Sequence, residues 1–219
     1  MLKNITSIIF DLDGTLIDSA PSVLATLEAT LAVHGIEPIM AFESRLIGPP
    51  LSEILMRLTG VVEPKLLNVL VETFKSLYDT SGYKASRIYP GASELLNELR
   101  QRNIPTYIAT NKRRIPTELI LEHLGWKPLF NAVYTLDGME TQHQNKSKMI
   151  ALMLSEIDIE LSHIAYVGDT FEDGLAADEN NIRFYYARWG YGSVDKEGLR
   201  PAWCPMKQPL DLIGDLTEG

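Results

Sequence analysis

Short apolar runs alternate along the chain with longer amphipathic segments. The runs SIIF, TYIAT, AVYT and HIAYVGD are rich in β-branched or aromatic residues and end near polar or glycine-containing turns, which is typical of strands. Between them, helical patterns place apolar residues on one face, as Leu95, Leu96 and Leu99 do after Pro90. This alternation predicts an α/β fold, with a doubly wound, mostly parallel sheet and crossover helices.

The segment from residue 17 to residue 87 breaks the alternation. It contains the helical patterns APSVLATLEATLAVHG, LSEILMRLTG and PKLLNVLVETFKSLYD, without a convincing strand. In the third pattern, apolar residues recur at helical spacing from Leu66 to Leu77, which favours a packed helical core. We therefore expect an all-helical cap domain at residues 17–87, inserted after the first strand of a core domain formed by residues 1–16 and 88–219.

Acidic residues follow two of the predicted strands. Asp11 and Asp13 stand one residue apart in FDLDGTLIDS, and Asp169 ends HIAYVGD, with Asp173 one helical turn further on. Taken alone, Asp11 and Asp13 are better explained by a turn, and Asp169 is explained equally well by a helix cap. In a parallel sheet, however, ligands bind beyond the carboxyl ends of the strands. Two acidic strand ends in one sheet therefore favour a site of hard oxygen ligands, which Mg²⁺ prefers.

Other polar residues stand where they could bind phosphate. Thr110 ends the run TYIAT and Asn111 follows it, and both side chains can donate hydrogen bonds to phosphate oxygens. Lys146 begins a predicted helix in NKSKMIALML, whose buried side we assign to Ile150, Leu152, Met153 and Leu154. Lys148, two residues on, then points about 200° away around the helix and faces water. A turn and a solvated lysine are the structural alternatives.

Charge and hydropathy narrow the possible partners. The formal net charge of −9 argues against a nucleic-acid binder with a broad basic face, so an anionic ligand must be attracted locally, for example by a metal ion. The apolar stretches are shorter than the ~18 residues of a membrane span, and the first one meets Asp11 too early for a signal peptide. With the single Cys204, a cytoplasmic location is the simplest expectation.

Taken together, these segments resemble the haloacid dehalogenase superfamily, and within it the phosphoglycolate phosphatase-like subgroup with a helical cap. The resemblance rests on DLDGTLIDS, IGPPL, YPGASELLNELRQRNIPTYIATNK, LEHLG, the NK before the next helix, and VGDTFEDGLAA followed by WGYG. Departures are Glu179-Asn180-Asn181 where relatives usually have Ala-Gly, Lys-Ser-Lys where they continue Lys-Pro, and the C-terminal PAWCPMKQP.

The resemblance implies an Mg²⁺-dependent phosphatase that hydrolyses a small phosphorylated metabolite, with phosphoglycolate as the leading candidate. Asp11 looks like the nucleophile that becomes a transient aspartyl phosphate, and Asp13 like the general acid and then the general base. Thr110 and Lys146 would hold the phosphoryl oxygens. The implied metal ligands are Asp11, Asp169 and the backbone carbonyl of Asp13, with Asp173 in support.

Two basic features remain outside this set. Arg45, beside Gly48-Pro49-Pro50 in the insert, is our predicted substrate contact for a carboxylate or a second anionic group, although a solvated helix face explains it as well. The cluster Lys112-Arg113-Arg114 could add local positive potential, or it could serve only surface solubility.

Several alternatives stay open at this point. A phosphosugar mutase or a pyrophosphatase of the same superfamily would use the same residues as a phosphatase. Dehalogenases of the superfamily lack the second acid, Asp13, because a halide leaves without a proton. A signalling receiver domain is much shorter, and a non-catalytic scaffold is disfavoured by the intact set of polar residues. As for assembly, we expect a monomer or a homodimer.

Overall fold

The structure is a computed structural model that describes residues 5–47, 49–138, 145–157, 159–192 and 199–217. Its strands are β1 (Ser7–Phe10), β2 (Ile17–Asp18), β3 (Arg87–Ile88), β4 (Thr106–Thr110), β5 (Ala132–Thr135), β6 (Ile164–Gly168), β7 (Arg183–Ala187) and β8 (Cys204–Met206). Its α-helices are α1 (Ala20–Val33), α2 (Leu51–Thr59), α3 (Pro64–Thr80), α4 (Ala92–Gln101), α5 (Arg114–His123), α6 (Lys146–Glu156), α7 (Phe171–Glu179) and α8 (Asp211–Thr217).

Six strands form one sheet in the order β5-β4-β1-β6-β7-β8, and each neighbouring pair is parallel. The chain winds outward from β1 in both directions, first through β4 to β5 and then through β6 to β8, so the topological switch point lies at β1. All residues of β1 are buried, as expected for a central parallel strand with both faces covered. The predicted doubly wound α/β sheet is confirmed. Strands β2 and β3 form a separate two-stranded sheet.

The chain forms two compact units, Met1–Asp18 with Ile88–Gly219, and Ser19–Arg87. The first boundary lies two residues later than the sequence suggested. The core of the α/β unit includes Ile9 of β1, Tyr166 of β6, Phe184 of β7 and Trp203 near β8.

The helical unit has its own hydrophobic core. Leu27 of α1, Leu55 of α2 and Leu70 and Phe74 of α3 pack in one cluster of buried side chains. Leu66 was expected to share this face but is 37% exposed; it lies in the first turn of α3, one turn before the buried Leu70. None of the helices in the described ranges is long and apolar enough to cross a membrane.

Helix α6 begins at Lys146, as the sequence suggested, but its buried side differs in part from the expected one. The buried residues are Lys146, Met149, Ile150 and Met153, which follow i, i+3, i+4, i+7 spacing. Leu152 lies outside that stripe and is 40% exposed, so its assignment to the buried side was wrong. The stripe that buries Ile150 also buries Lys146, so the lysine lies on the core face of the helix.

Candidate active site

The carboxyl ends of the three central strands place polar residues side by side. Asp11 directly follows β1, Thr110 ends β4, and Asp169 directly follows β6. Strands β4 and β6 both pair with β1, and all three side chains are buried. The structure thus brings together three of the predicted site residues at the switch point of the sheet, where α/β proteins bind ligands.

Three buried acids form the centre of this site. Asp11, Asp169 and Asp173 each offer a carboxylate oxygen, and these oxygens all lie within 4.8 Å of one another. The Oδ1 atoms of Asp11 and Asp169 are buried and have no hydrogen-bond partner among the described residues. A buried carboxylate oxygen without a partner costs free energy, which a cation would offset. A donor set made only of carboxylate oxygens fits a hard divalent cation such as Mg²⁺.

The protonation of these acids reflects their burial. Burial raises the pKa of Asp11 to about 7; Lys146 acts against this shift, and the charges of Asp173 and Asp13 add to it. Burial also raises the pKa of Asp169 well above its ordinary value, and the charges of Asp173 and Asp11 raise it further. The site therefore holds more negative charge than its own positive groups offset, and an additional cation would stabilise its ionised form.

Lys146 supplies positive charge to the site from the first turn of α6. Its Nζ donates a hydrogen bond to Asp173 Oδ1 at 2.6 Å. The same Nζ lies 3.1 Å from Asp11 Oδ1 and forms an ion pair with it, without the geometry of a hydrogen bond. Burial alone would lower the pKa of Lys146, but the charges of Asp11 and Asp173 raise it above its ordinary value. The ammonium is therefore held charged beside Asp11. Lys148 is exposed, as expected.

Asp173 differs from the other two acids because both of its oxygens already accept hydrogen bonds. Oδ1 accepts from Lys146 and from the hydroxyl of Tyr166 at 2.8 Å, and Oδ2 accepts from the backbone and hydroxyl of Thr170. Thr170 and Asp173 form a reciprocal capping box at the start of α7. Burial alone would raise the pKa of Asp173, but the charge of Lys146 and these hydrogen bonds lower it below its ordinary value. Asp173 thus anchors Lys146 and the start of α7.

Asp13 lies at the more open side of the site. Its side chain is 21% exposed, and both of its carboxylate oxygens accept hydrogen bonds from Lys112 Nζ. The Thr110 hydroxyl accepts from the backbone N–H of Lys112 at 3.3 Å, which leaves its own proton available to a ligand. Asn111, between them in the chain, is exposed.

Glycines allow the surrounding loops to approach Asp169 closely. A Cβ at Gly14, whose φ is +81°, would lie 2.2 Å from Asp169 Oδ2, and a Cβ at Gly190 would lie 2.3 Å from Asp169 Cβ. The backbone N–H of Gly192 donates to Asp169 Oδ2 at 2.9 Å. These contacts hold one oxygen of Asp169 in place, whereas its other oxygen accepts no hydrogen bond from the residues that the structure describes.

Sequence reasoning missed two residues that contact the predicted set. Tyr166 bonds Asp173 from within β6; the signal was a hydroxyl-bearing aromatic in a buried strand, which needs a hydrogen-bond partner. Lys112 was noted only as part of a basic cluster, yet it pairs with Asp13. Arg45 lies in a short 3₁₀ turn, and its side chain and Gly48 fall outside the described part of the chain.

Comparison with known proteins agrees with this geometry. A family model for haloacid dehalogenase-like hydrolases matches residues 8–187. The chain is 31% identical over 214 residues to a 5'-nucleotidase from Pseudomonas aeruginosa, covering 96% of this chain and 92% of that protein. It is 30% identical over 210 residues to a phosphoglycolate phosphatase from Xanthomonas campestris, covering 94% of each.

Solved structures give the same result for the fold. A haloacid dehalogenase-like family hydrolase from Streptococcus pneumoniae superimposes with a TM-score of 0.81 at 26% identity, covering 96% of this chain and 98% of that one. The superfamily resemblance seen in the sequence motifs is thus confirmed by the family model and by relatives that span nearly the whole chain. The chain belongs to the haloacid dehalogenase-like hydrolase family.

Proposed function

We propose that the chain is an Mg²⁺-dependent phosphatase that hydrolyses a small phosphomonoester through an aspartyl-phosphate intermediate on Asp11. Its family and its relatives named as phosphatases make it a phosphoric monoester hydrolase. The finer proposal rests on one observation. Asp11 and Asp169 each have a buried carboxylate oxygen that accepts no hydrogen bond from the described residues, in an acidic cluster that also holds the Lys146 ammonium.

The acidic cluster would hold the metal ion. Asp11 and Asp169 would bind Mg²⁺ together with the backbone carbonyl of Asp13, and Asp173 would support the site through Lys146 and Thr170. When bound, the ion supplies positive charge that offsets the repulsion between a carboxylate and an incoming phosphate. This assignment is favoured by the buried oxygens of Asp11 and Asp169, which accept no hydrogen bond within the described part of the chain.

Asp11 would act as the nucleophile. Its carboxylate attacks phosphorus and forms an acyl phosphate, while the bond from phosphorus to the leaving-group oxygen breaks. The Lys146 ammonium, 3.1 Å from Asp11 Oδ1, and the Thr110 hydroxyl would hold the phosphoryl oxygens. Such charge stabilisation in a dehydrated site accounts for most of the catalysis of phosphoryl transfer. Asn111, which is exposed, would add an amide donor for the substrate.

Asp13 would act first as the general acid and then as the general base. It gives a proton to the leaving-group oxygen, and it then takes a proton from the water that hydrolyses the acyl phosphate. Its side chain is 21% exposed, against 6% for Asp11, which suits a group that must reach both a departing alcohol and water. The two carboxylates therefore have environments that suit different roles.

The helical unit Ser19–Arg87 would act as the cap that selects the substrate, with Arg45 as a contact for a second anionic group. Phosphoglycolate is the leading candidate, from the subgroup resemblance and from the Xanthomonas campestris relative. The relative named as a 5'-nucleotidase adds nucleoside monophosphates to the candidates. A cytoplasmic location and a monomeric or homodimeric state stay predictions.

A panel of phosphorylated metabolites tests the substrate proposal. Phosphate release is measured with phosphoglycolate, nucleoside 5'-monophosphates, sugar phosphates and pyrophosphate, and the substrates are ranked by kcat/KM. We expect phosphoglycolate to rank first. A higher rank for pyrophosphate, or conversion of a sugar phosphate to its isomer without phosphate release, would replace the proposed phosphatase with the corresponding superfamily activity.

A further inference from the structure

Lys112 contacts Asp13 although the two residues stand 99 positions apart in the sequence. Its Nζ donates hydrogen bonds to Asp13 Oδ1 at 3.1 Å and to Oδ2 at 3.2 Å. The Lys112 side chain is only 8% exposed, so this is not a surface ion pair of the kind that contributes little. An ammonium withdrawn from water needs such a partner, because burying an unpaired charge is costly.

The backbones on both sides of this contact are fixed. The N–H of Lys112 donates to the Thr110 hydroxyl at the end of β4, and Asp13, in the loop after β1, makes a bridge with Ile17 of β2. Strands β1 and β4 are paired in the central sheet. The Asp13 carboxylate is therefore held by Lys112, which lies in the loop after the neighbouring strand β4. The pairing of β4 with β1 holds the backbone of that loop in place.

We propose that Lys112 is a positioning residue for Asp13, holding its carboxyl group where it transfers a proton to the leaving-group oxygen. This inference rests on the proposed phosphatase function. Positioning matters here because small misplacements of a catalytic group, of about 1 Å, can cost about 100-fold in rate. A Lys112 that only stabilised the fold would change stability without changing which substrates react well.

The chemistry of the first half-reaction shows where Lys112 acts. The bond from phosphorus to the leaving-group oxygen breaks, its electron pair stays on that oxygen, and the oxygen takes the proton of Asp13. Negative charge develops on Asp13 as the proton leaves, next to the Lys112 ammonium, so their attraction grows toward the transition state. An alcohol needs this proton in order to leave, whereas p-nitrophenolate leaves without it. The effect of Lys112 therefore depends on the leaving group.

The test compares Lys112→Met with the wild-type protein on p-nitrophenyl phosphate and on glycerol phosphate, an alkyl ester. We expect the loss of kcat/KM in Lys112→Met to be at least about tenfold larger for the alkyl ester than for the aryl ester. This loss is a modest part of the 10²–10⁴-fold rate enhancement that general acids contribute. Lys112→Gln, which keeps a donor but loses the charge, serves as the second variant and should show the same selectivity. The exposed Lys127 offers a control, because Lys127→Met should leave kcat/KM unchanged for both esters.

A second comparison asks whether Lys112 acts through Asp13. In an Asp13→Asn background, adding Lys112→Met should lower kcat/KM for the alkyl ester by less than about twofold, because the carboxyl group that Lys112 positions is already absent. Folding of every variant is checked by thermal unfolding. Equal losses with both esters, as expected if Lys112 binds the phosphate itself, or full additivity with Asp13→Asn would overturn the proposal. A wild-type protein inactive on both esters would instead overturn the proposed function.

Discussion

Two lysines of α6 stand two residues apart, yet their side chains have different surroundings. Lys146 is buried, with its Nζ bonded to Asp173 and 3.1 Å from Asp11, whereas Lys148 is exposed. Residues two apart point about 200° from each other around a helix, so one helix start can direct only one of them to a phosphate. The position of Lys146 makes it the phosphate-binding candidate.

We predict that Lys146→Met loses at least about 100-fold in kcat/KM, which corresponds to about 2.7 kcal/mol of transition-state stabilisation. Lys148→Met, the matched control, should stay near wild type. Steady-state kinetics at saturating Mg²⁺ measure both, after thermal unfolding has shown that each is folded. If Lys148→Met were the impaired variant, the assignment of the phosphate-binding lysine would have to be withdrawn.

Asp13 offers a test of the divided roles of the two carboxylates. In Asp13→Asn the amide cannot take a proton from water, so we predict slow turnover and accumulation of phosphoenzyme with p-nitrophenyl phosphate, whose leaving group needs no proton. Acid quenching followed by mass spectrometry of the intact chain detects the added phosphoryl group. Asp11→Asn, treated identically, should show none. Absence of phosphoenzyme in Asp13→Asn would speak against the role given to Asp13.

At the residue scale, the sequence predicted the grouping of candidate site residues that end a strand or directly follow one. Asp11, Thr110 and Asp169 could be placed together because parallel strands share one carboxyl edge. The pairing of Lys112 with Asp13 could not be predicted in this way, because it depends on a side-chain conformation across two loops. The hydrogen bond from Tyr166 to Asp173 could not be predicted either, because it depends on α7 beginning beside β6.

At the scale of elements, the loop from residue 189 to residue 192 packs against the loop that carries the first acids. Trp189 Nε1 donates to the carbonyl of Thr15 at 2.9 Å, and the N–H of Gly192 donates to Asp169 Oδ2. Gly190 lies so close that a Cβ there would stand 2.3 Å from Asp169 Cβ and 2.4 Å from the Gly14 carbonyl oxygen. Two loops thus hold Asp169 in position by backbone contacts.

Gly190→Ala should therefore displace Asp169. We predict a rise of at least about tenfold in the Mg²⁺ concentration needed for half-maximal activity, since a ligand moved by even a fraction of an ångström weakens a geometrically strict Mg²⁺ site. Gly214→Ala is the control, because a Cβ there meets nothing within 4 Å. Mg²⁺ titrations of activity measure both variants. An unchanged requirement in Gly190→Ala would show that the loop does not position Asp169.

The sequence predicted some elements better than others, for a physical reason. The runs for β1, β4 and β5 were recognised with their bounds, since each is a short run flanked by turn residues. Strand β7, Arg183–Ala187, was not singled out, although its buried aromatic residues favour a strand. Strand β8 spans only Cys204–Met206 and includes a proline, so it offers no periodicity to detect and is held by pairing with β7.

At the scale of the whole molecule, an acidic protein must attract an anionic substrate. The net charge is −9, and the site itself adds three buried acids against the Lys146 ammonium. Burial raises the pKa of Asp11 and of Asp169, which reflects how poorly the protein alone stabilises their charges. A bound divalent cation would remove this imbalance and would make the site attractive to phosphate.

Phosphate release from p-nitrophenyl phosphate at controlled Mg²⁺ tests most directly whether the chain is an Mg²⁺-dependent phosphatase that acts through Asp11. We predict that the wild-type protein releases phosphate with Mg²⁺, that excess chelator abolishes release, and that added Mg²⁺ restores it. Asp11→Asn, once shown to be folded, should retain no more than a trace of this activity, because an amide is a poor nucleophile and a weaker Mg²⁺ ligand than a carboxylate. Release that survives chelation, or substantial activity in Asp11→Asn, would contradict the proposed mechanism.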